Sequence, residues 1–200
     1  MLFTVNNEVP DGFEPIILRV NHFNPHTAKK FAEGVSRAHE NKQPFLPIVI
    51  DSYGGEVYAL MSMIDTLDMC TMPIVTVVQG KAMSCGAVLF TFGSKGRRFI
   101  GPNATLMLHD VAITGYKDEK THEATATAQE IDRINKILWQ RMEKNIGKPK
   151  NFLWKKAHEN GRADLYIDAD TAVQWGIASK KGIPRWDIQI SMNHHLLFPE

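Results

Sequence analysis

The chain is poor in several things that usually announce a function early. It has two cysteines, Cys70 and Cys85, in 200 residues. They form neither a CxxC pair nor a zinc spacing, which excludes a disulfide scaffold and a cysteine-ligated metal site. A chain without disulfides suits a reducing compartment, so the cytoplasm is expected. There is no excess of either charge: 23 Lys and Arg stand against 22 Asp and Glu, for a formal net charge of +1. No general attraction to nucleic acid or to an anionic membrane follows from that balance. No apolar run approaches the length of a membrane span. Met1 to Pro15 carries Asn, Glu and Asp and lacks the basic start of a signal peptide. Internal repeats and low-complexity tracts are absent too. What remains is an ordinary globular composition, long enough for one domain with a real core.

The pattern along the chain alternates strand and helix. Residues 1–14 are mixed, with Pro10-Asp11-Gly12 as a turn. Ile16 to Val20 reads as a strand. Asn24-Pro25 then caps an amphipathic helix through Ala28, Phe31, Ala32, Val35 and Ala38. Phe45 to Ile50 is a second strand, whose Pro47 favours a sheet edge or a strand start. Gly54-Gly55 leads into a helix carrying Val57, Leu60, Met61, Ile64 and Leu67. A third strand covers Ile74 to Gln79, followed by a glycine-bearing turn, Ser84 and an apolar helix that ends at Gly93. Two short strands, Gly96–Ile100 and Ala104–Leu108, flank a Gly101-Pro102-Asn103 turn. The second of them delivers His109-Asp110, and Val111 to Asp118 is semi-extended. A long charged helix over 121–146 bears a narrow stripe of Ile131, Ile134, Leu138 and Met142, which predicts packing against a partner. A shorter helix (152–159), an extended Asp164–Ile167, a helix over 169–175 capped by Asp168, and a strand at Ile188–Ile190 complete the chain. This order predicts an α/β fold with a largely parallel sheet.

In such sheets function collects beyond the C-terminal ends of the strands. Gly54-Gly55, Ser84 and His109 all fall there. Strand, turn, serine, helix is how α/β hydrolytic enzymes present a nucleophile. Ala82 stands where a Gly-x-Ser-x-Gly elbow has its first glycine, so the stretch reads equally well as a buried helix with a serine cap. A serine needs a base, and the base an orienting acceptor. Of eight histidines, His109 alone ends an apolar strand. His22, His26, His39, His122 and His158 fall in loops or on charged helix faces, and His194-His195 lies in the tail. Asp110 would point to the opposite face from His109. Asp168 is explained as a cap and Asp170 as a first-turn carboxylate. Asp164 has no such local task and is the best third member. The N–H groups of Cys85 and Gly55 are candidates for an oxyanion hole, each worth roughly 3–4 kcal/mol in the transition state. A Ser–Lys dyad through Lys81 and a Cys85 nucleophile are weaker options.

These residues resemble the ClpP family of serine proteases and its phage-encoded relatives, from about Ile16 to Ala178. Asp51-Ser52-Tyr53-Gly54-Gly55 stands where the family has Asn-Ser-Pro-Gly-Gly. Gly80-Lys81-Ala82-Met83-Ser84-Cys85-Gly86-Ala87 is similar to its Gly-Gln-Ala-Ala-Ser-Met-Gly-Ala. Gly93 to Phe99 with Pro102-Asn103, then Leu106-Met107-Leu108-His109, and Asp164 with Ala169, Ala172 and Trp175-Gly176-Ile177 continue the likeness. The resemblance implies a spiral of β-β-α units shared by ClpP and crotonase folds, with a protruding handle helix in a region of about 111–148. It implies Ser84 as nucleophile, His109 as general base, Asp164 as orienter, and Gly55 and Cys85 as oxyanion donors, with no cofactor or metal. It implies peptide or unfolded-protein substrates and stacked heptameric rings, a tetradecamer, that meet at the handle.

The chain departs from the family pattern in places. The segment 1–15 is short, which argues against docking of an AAA+ unfoldase. The His109 to Asp164 spacing is long, with extra residues around Lys148 to Arg162. Asp110-Val111 replaces Gln-Pro, and the tail 179–200 diverges. A single protease domain over 1–200, in the cytoplasm or a phage host's cytoplasm, is expected. The alternatives are a catalytically idle ring or scaffold subunit, a protease of the phage head-maturation type, and a crotonase-type acyl-CoA enzyme.

Overall fold

The computed structural model describes residues 15–111, 121–159 and 164–184. The expected turn at Pro10-Asp11-Gly12, most of the extended Val111–Asp118 and the strand Ile188–Ile190 lie outside them. Thirteen elements follow one another: β1 (Leu18–Val20), α1 (Pro25–Glu40), β2 (Leu46–Ser52), α2 (Val57–Asp68), β3 (Ile74–Met83), α3 (Cys85–Phe90), β4 (Arg98–Ile100), β5 (Thr105–His109), α4 (Thr121–Asn145), α5 (Phe152–His158), β6 (Asp164–Ile167), α6 (Ala169–Gln174) and β7 (Lys180–Lys181).

The strands form one sheet in the order β1-β2-β3-β4-β7, with β5 also on β3 and β6 on β5. Every pairing is parallel except β5 with β6. The apolar run of β2 is buried along nearly its whole length, as suits an interior strand covered on both faces. Pro47 therefore sits near the start of an interior strand rather than at an edge, because it is only the second residue of β2.

The third strand runs further than expected, through the glycine turn to Met83. Its first half pairs with β4 (Thr76–Val78 with Arg98–Ile100) and its second half with β5 (Lys81–Met83 with Thr105–Met107). Gly80 lies between the halves with φ of 80°, a left-handed value that costs glycine little. The register against β2 slips there too: Ile50 pairs with Val78 but Ser52 with Ala82. The break that looked like a turn is thus a bend at which one strand changes partners. It carries the end of β3 alongside the end of β5.

Helix α1 opens with a reciprocal cap, Asn24 accepting from Thr27 N at 2.8 Å while Asn24 N donates to Thr27 Oγ1 at 3.0 Å. Its face of Phe31, Val35 and Ala38 joins the main core with Leu60, Met63 and Ile64 of α2. The stripe on α4 requires a correction. Ile134, Leu138 and Met142 are buried in this chain's own core together with Trp139 and Ile146. The stripe is narrow because, among the described apolar residues of the helix, these alone face the core.

Two buried charges tie the helices down. Arg98 on β4 donates to the carbonyls of Gly93 (3.0 Å), Ile177 (2.8 Å), Gly176 (3.2 Å) and Asn145 (3.4 Å). It thereby gathers the last residue of α4 and the chain just beyond α3 and α6, where carbonyls lack helical partners. Burial lowers its pKa from the ordinary guanidinium value. Glu143 of α4 is 2% exposed, and its carboxylate accepts from Asn151 N (2.7 Å), Leu153 N (3.0 Å) and Trp154 N (3.3 Å). Asn151 makes no side-chain cap for α5, so a residue from another helix caps it instead.

Candidate active site

Ser84 joins β3 to α3 with φ 53° and ψ −121°. This is a sparsely populated conformation for a residue with a side chain, costing of order 1–3 kcal/mol. It persists because both flanks are fixed. Ser84 N donates to Met107 O at 2.9 Å, and Ser84 O accepts from Ala87 N and Val88 N at 3.0 and 3.2 Å. The hydroxyl makes no capping hydrogen bond to α3. The reading of Ser84 as an ordinary helix cap is thereby set aside.

The Gly54-Gly55 loop presses against this junction. A Cβ on Gly54 would lie 2.8 Å from Ser84 Cβ, and one on Gly55 would lie 2.3 Å from Phe23 O. Both residues have positive φ, 110° and 149°. No other residue type fits either position without moving backbone. Ser52, fully buried, holds the loop from below through Gly54 N to Ser52 Oγ at 3.0 Å. Cys85 is turned inward: its thiol donates to Gly55 O at 3.4 Å, and burial raises its pKa. Such a thiol is a poor nucleophile. Its N–H opens α3 and has no acceptor within the helix.

His109 ends β5, directly opposite Asp164 at the start of β6. The antiparallel β5–β6 ladder brings together residues that stand far apart in the chain. His109 Nδ1 is 3.8 Å from Asp164 Oδ1, and the Asp164 side chain is 46% exposed. That separation permits attraction but exceeds a hydrogen bond. The other carboxylates have separate partners. Asp168 caps α6 through Thr171 N at 2.7 Å, and that bond holds its pKa below the usual carboxylate value. Asp170 pairs with Lys181 at 2.5 Å. Asp110 turns away to Trp139 and His158. Lys81 pairs with Asp51 at 2.7 Å and sits 4.2 Å above the Tyr53 ring, so its ammonium is held as a cation rather than offered as a base.

Ser84, Cys85, Gly55 and His109 line one cavity of about 760 Å³. Leu60, Val88, Leu138 and Met142 give it apolar walls, and Tyr58, Glu130 and Asn135 also line it. Tyr58 Oη donates to Glu130 at 3.1 Å and links α2 to α4. Arg133 bonds the same carboxylate and holds its pKa down to about 2. The α4 wall was missed in the sequence because its stripe was assigned to a partner. The signal was there: Ile131, Asn135 and Trp139 run at helical spacing alongside Ile134 and Leu138. Among the described residues no group of three His, Cys, Asp or Glu is placed to hold a metal ion. No described helix is long and apolar enough to cross a membrane.

The chain matches the family described as Clp protease over residues 14–181, a stretch that holds the seven strands and six helices of the described residues. The mixed α/β architecture with its mostly parallel sheet is consistent with the ClpP-like fold. With most of its length matched, the chain belongs to the Clp protease family of peptidases.

Proposed function

We propose that the protein is a serine endopeptidase that cleaves peptide bonds through an acyl-enzyme. The observation that carries this reading is Ser84, held in a strained turn with its hydroxyl outside the helix cap and lining one cavity with His109. In the proposed cycle Ser84 Oγ attacks the scissile carbonyl while His109 takes its proton and then passes it to the leaving amine. Asp164 orients the imidazole and balances its charge. The N–H groups of Gly55 and Cys85 receive the oxyanion. Water then repeats the sequence and releases the acid. The apolar walls from Leu60, Val88, Leu138 and Met142 suit an apolar side chain next to the scissile bond.

Family membership supports a homo-oligomeric ring chamber around these sites, and native mass measurement tests it. A serine-reactive phosphonate should label Ser84 and no other residue. Ser84→Ala should abolish both labelling and cleavage of short fluorogenic peptides. Cleavage by Ser84→Ala at the wild-type rate rules the reading out. The loose His109–Asp164 contact favours a second reading, a catalytically idle ring or scaffold subunit. Failure of the phosphonate to label wild-type protein selects it.

A further inference from the structure

The two residues after His109 are gripped by side chains that the proposed cycle does not use. Asp110 Oδ1 accepts from Trp139 Nε1 at 2.7 Å. Asp110 Oδ2 lies 2.9 Å from His158 Nε2. Val111 N donates to Asn135 Oδ1 at 2.7 Å. The last residue of a strand frays unless the chain beyond it is anchored. Here α4 and α5 supply the anchors.

His158 is itself closely held. Its Nδ1 is 2.7 Å from Trp154 O. Its ring stacks on Trp154 with centroids 4.4 Å apart and meets the Trp139 ring edge-on at 6.4 Å. Both ring nitrogens therefore face acceptors, a carbonyl and a carboxylate. A neutral imidazole has one N–H and satisfies only one of them; an imidazolium satisfies both. The other charged groups nearby are Asp132 and Lys136 of α4 and Lys150, which line the same hollow as Asp110 and His158. On or just after its own helix stand Lys155, Lys156 and Glu159, the last two paired at 2.9 Å. Burial lowers the pKa of His158, but the Trp154 carbonyl and Asp110 outweigh it, and the net direction is upward.

We propose that Asp110, Asn135, Trp139 and His158 are positioning residues for His109, and that the clamp is closed when His158 is an imidazolium. This rests on the serine-peptidase reading of Ser84 and His109. Asp110 and His158 lie in a hollow outside the active-site cavity, while Asn135 and Trp139 stand between the two and line both. The clamp fixes the chain at residues 110 and 111, and with it the aim of the His109 ring between Ser84 and Asp164. Activity then has a high-pH limb that the clamp produces. Loss of the His158 proton loosens the clamp at high pH, because a raised pKa means the charged form is lost as pH rises through it.

The test is kcat and KM on a short fluorogenic peptide across pH, with His158 followed in parallel by NMR. His158→Leu should lower kcat about tenfold to a hundredfold, the range that slight misplacement of a catalytic group produces, with KM nearly unchanged. His158→Gln keeps a neutral donor toward Asp110, so it should recover most of that loss and flatten the high-pH limb. If His158→Leu does not fold, Trp139→Phe removes only the Nε1 donor and should lower kcat while keeping the limb. Wild-type kcat in folded His158→Leu or Trp139→Phe, or an unchanged limb in His158→Gln, overturns the clamp. So does an NMR titration that finds His158 neutral below about pH 6.5, its ordinary midpoint. That titration needs no activity. Phosphonate labelling of wild-type Ser84 reports separately on the peptidase reading. A labelled, active enzyme with unaffected variants sinks the clamp alone.

Discussion

Two histidine–aspartate pairs meet at one strand end, and they are built in opposite ways. His109 and Asp164 are 3.8 Å apart with partly exposed side chains, and His109 lines the cavity that holds Ser84. His158 and Asp110 are 2.9 Å apart, with a tryptophan stacked on the imidazole and a second donor on the carboxylate. The tight pair has both ring nitrogens engaged and so cannot exchange protons with a substrate without breaking itself. In the proposed cycle the loose pair holds the base. Hydrogen-bond quality alone would point to His158, whereas the cavity that His109 shares with the strained Ser84 supports His109.

The sharpest way to break this contrast is to remove one member of the loose pair at a time. His109→Ala should lower kcat by about 10⁴-fold or more, since a triad acts as a unit. Asp164→Asn should cost less, about 10²-fold, because a carboxylate this exposed and distant contributes less than the buried aspartate of a tight triad. Single-turnover kinetics on one peptide measures both. Equal losses would mean that the His109–Asp164 contact closes fully when substrate binds. A variant Asp164→Asn with wild-type kcat would remove Asp164 from the site.

The next effect is on stability and concerns what holds the tight pair in place. His158 is the last residue of α5, and the start of α5 is capped by Glu143. Removing a buried carboxylate that accepts three backbone N–H groups leaves those donors unsatisfied, at a cost of about 2–3 kcal/mol. For a domain of this size that lowers Tm by about 5–10 °C. Glu143→Ala should show this in a thermal melt. Because it also frees α5, it should lower kcat in the same direction as His158→Leu. An unchanged Tm would mean that α5 is held by its packing on Trp175 and Trp139 and not by the cap.

How far the sequence reaches differs between the two pairs for a physical reason. Ser84, His109 and Gly54-Gly55 were legible because each follows an apolar strand, a local signal. Asp164 was reached by eliminating carboxylates with local tasks, and the β5–β6 ladder places it opposite His109. The tight pair was not legible. Asp110 and His158 are 48 residues apart, and α5 shows no period that says which way His158 faces. On its charged helix His158 reads as solvated; the tryptophans that cover it come from α4 and from its own preceding turn. Gly80 misled in another way. A glycine inside an apolar run looks like a stop, yet it marks where β3 exchanges β4 for β5. Lys180–Lys181 carries no apolar pattern, because β7 is an edge strand held by backbone bonds to β4.

The smallest expected effect separates the pairs by pH without any activity assay. The pKa of His158 is raised in the folded protein. Its contribution to stability is therefore complete below the ordinary histidine pKa of about 6.5 and is lost as pH rises through the folded value. Wild-type protein should melt above His158→Gln at acidic pH, and the gap should narrow toward alkaline pH. The side chain is still 35% exposed, so screening keeps the gap small, about a degree or two. Added salt should shrink it further, since part of it is the charge attraction to Asp110. A gap that widens toward alkaline pH would mean that His158 is held neutral, with Asp110 acting only as an acceptor for Trp139.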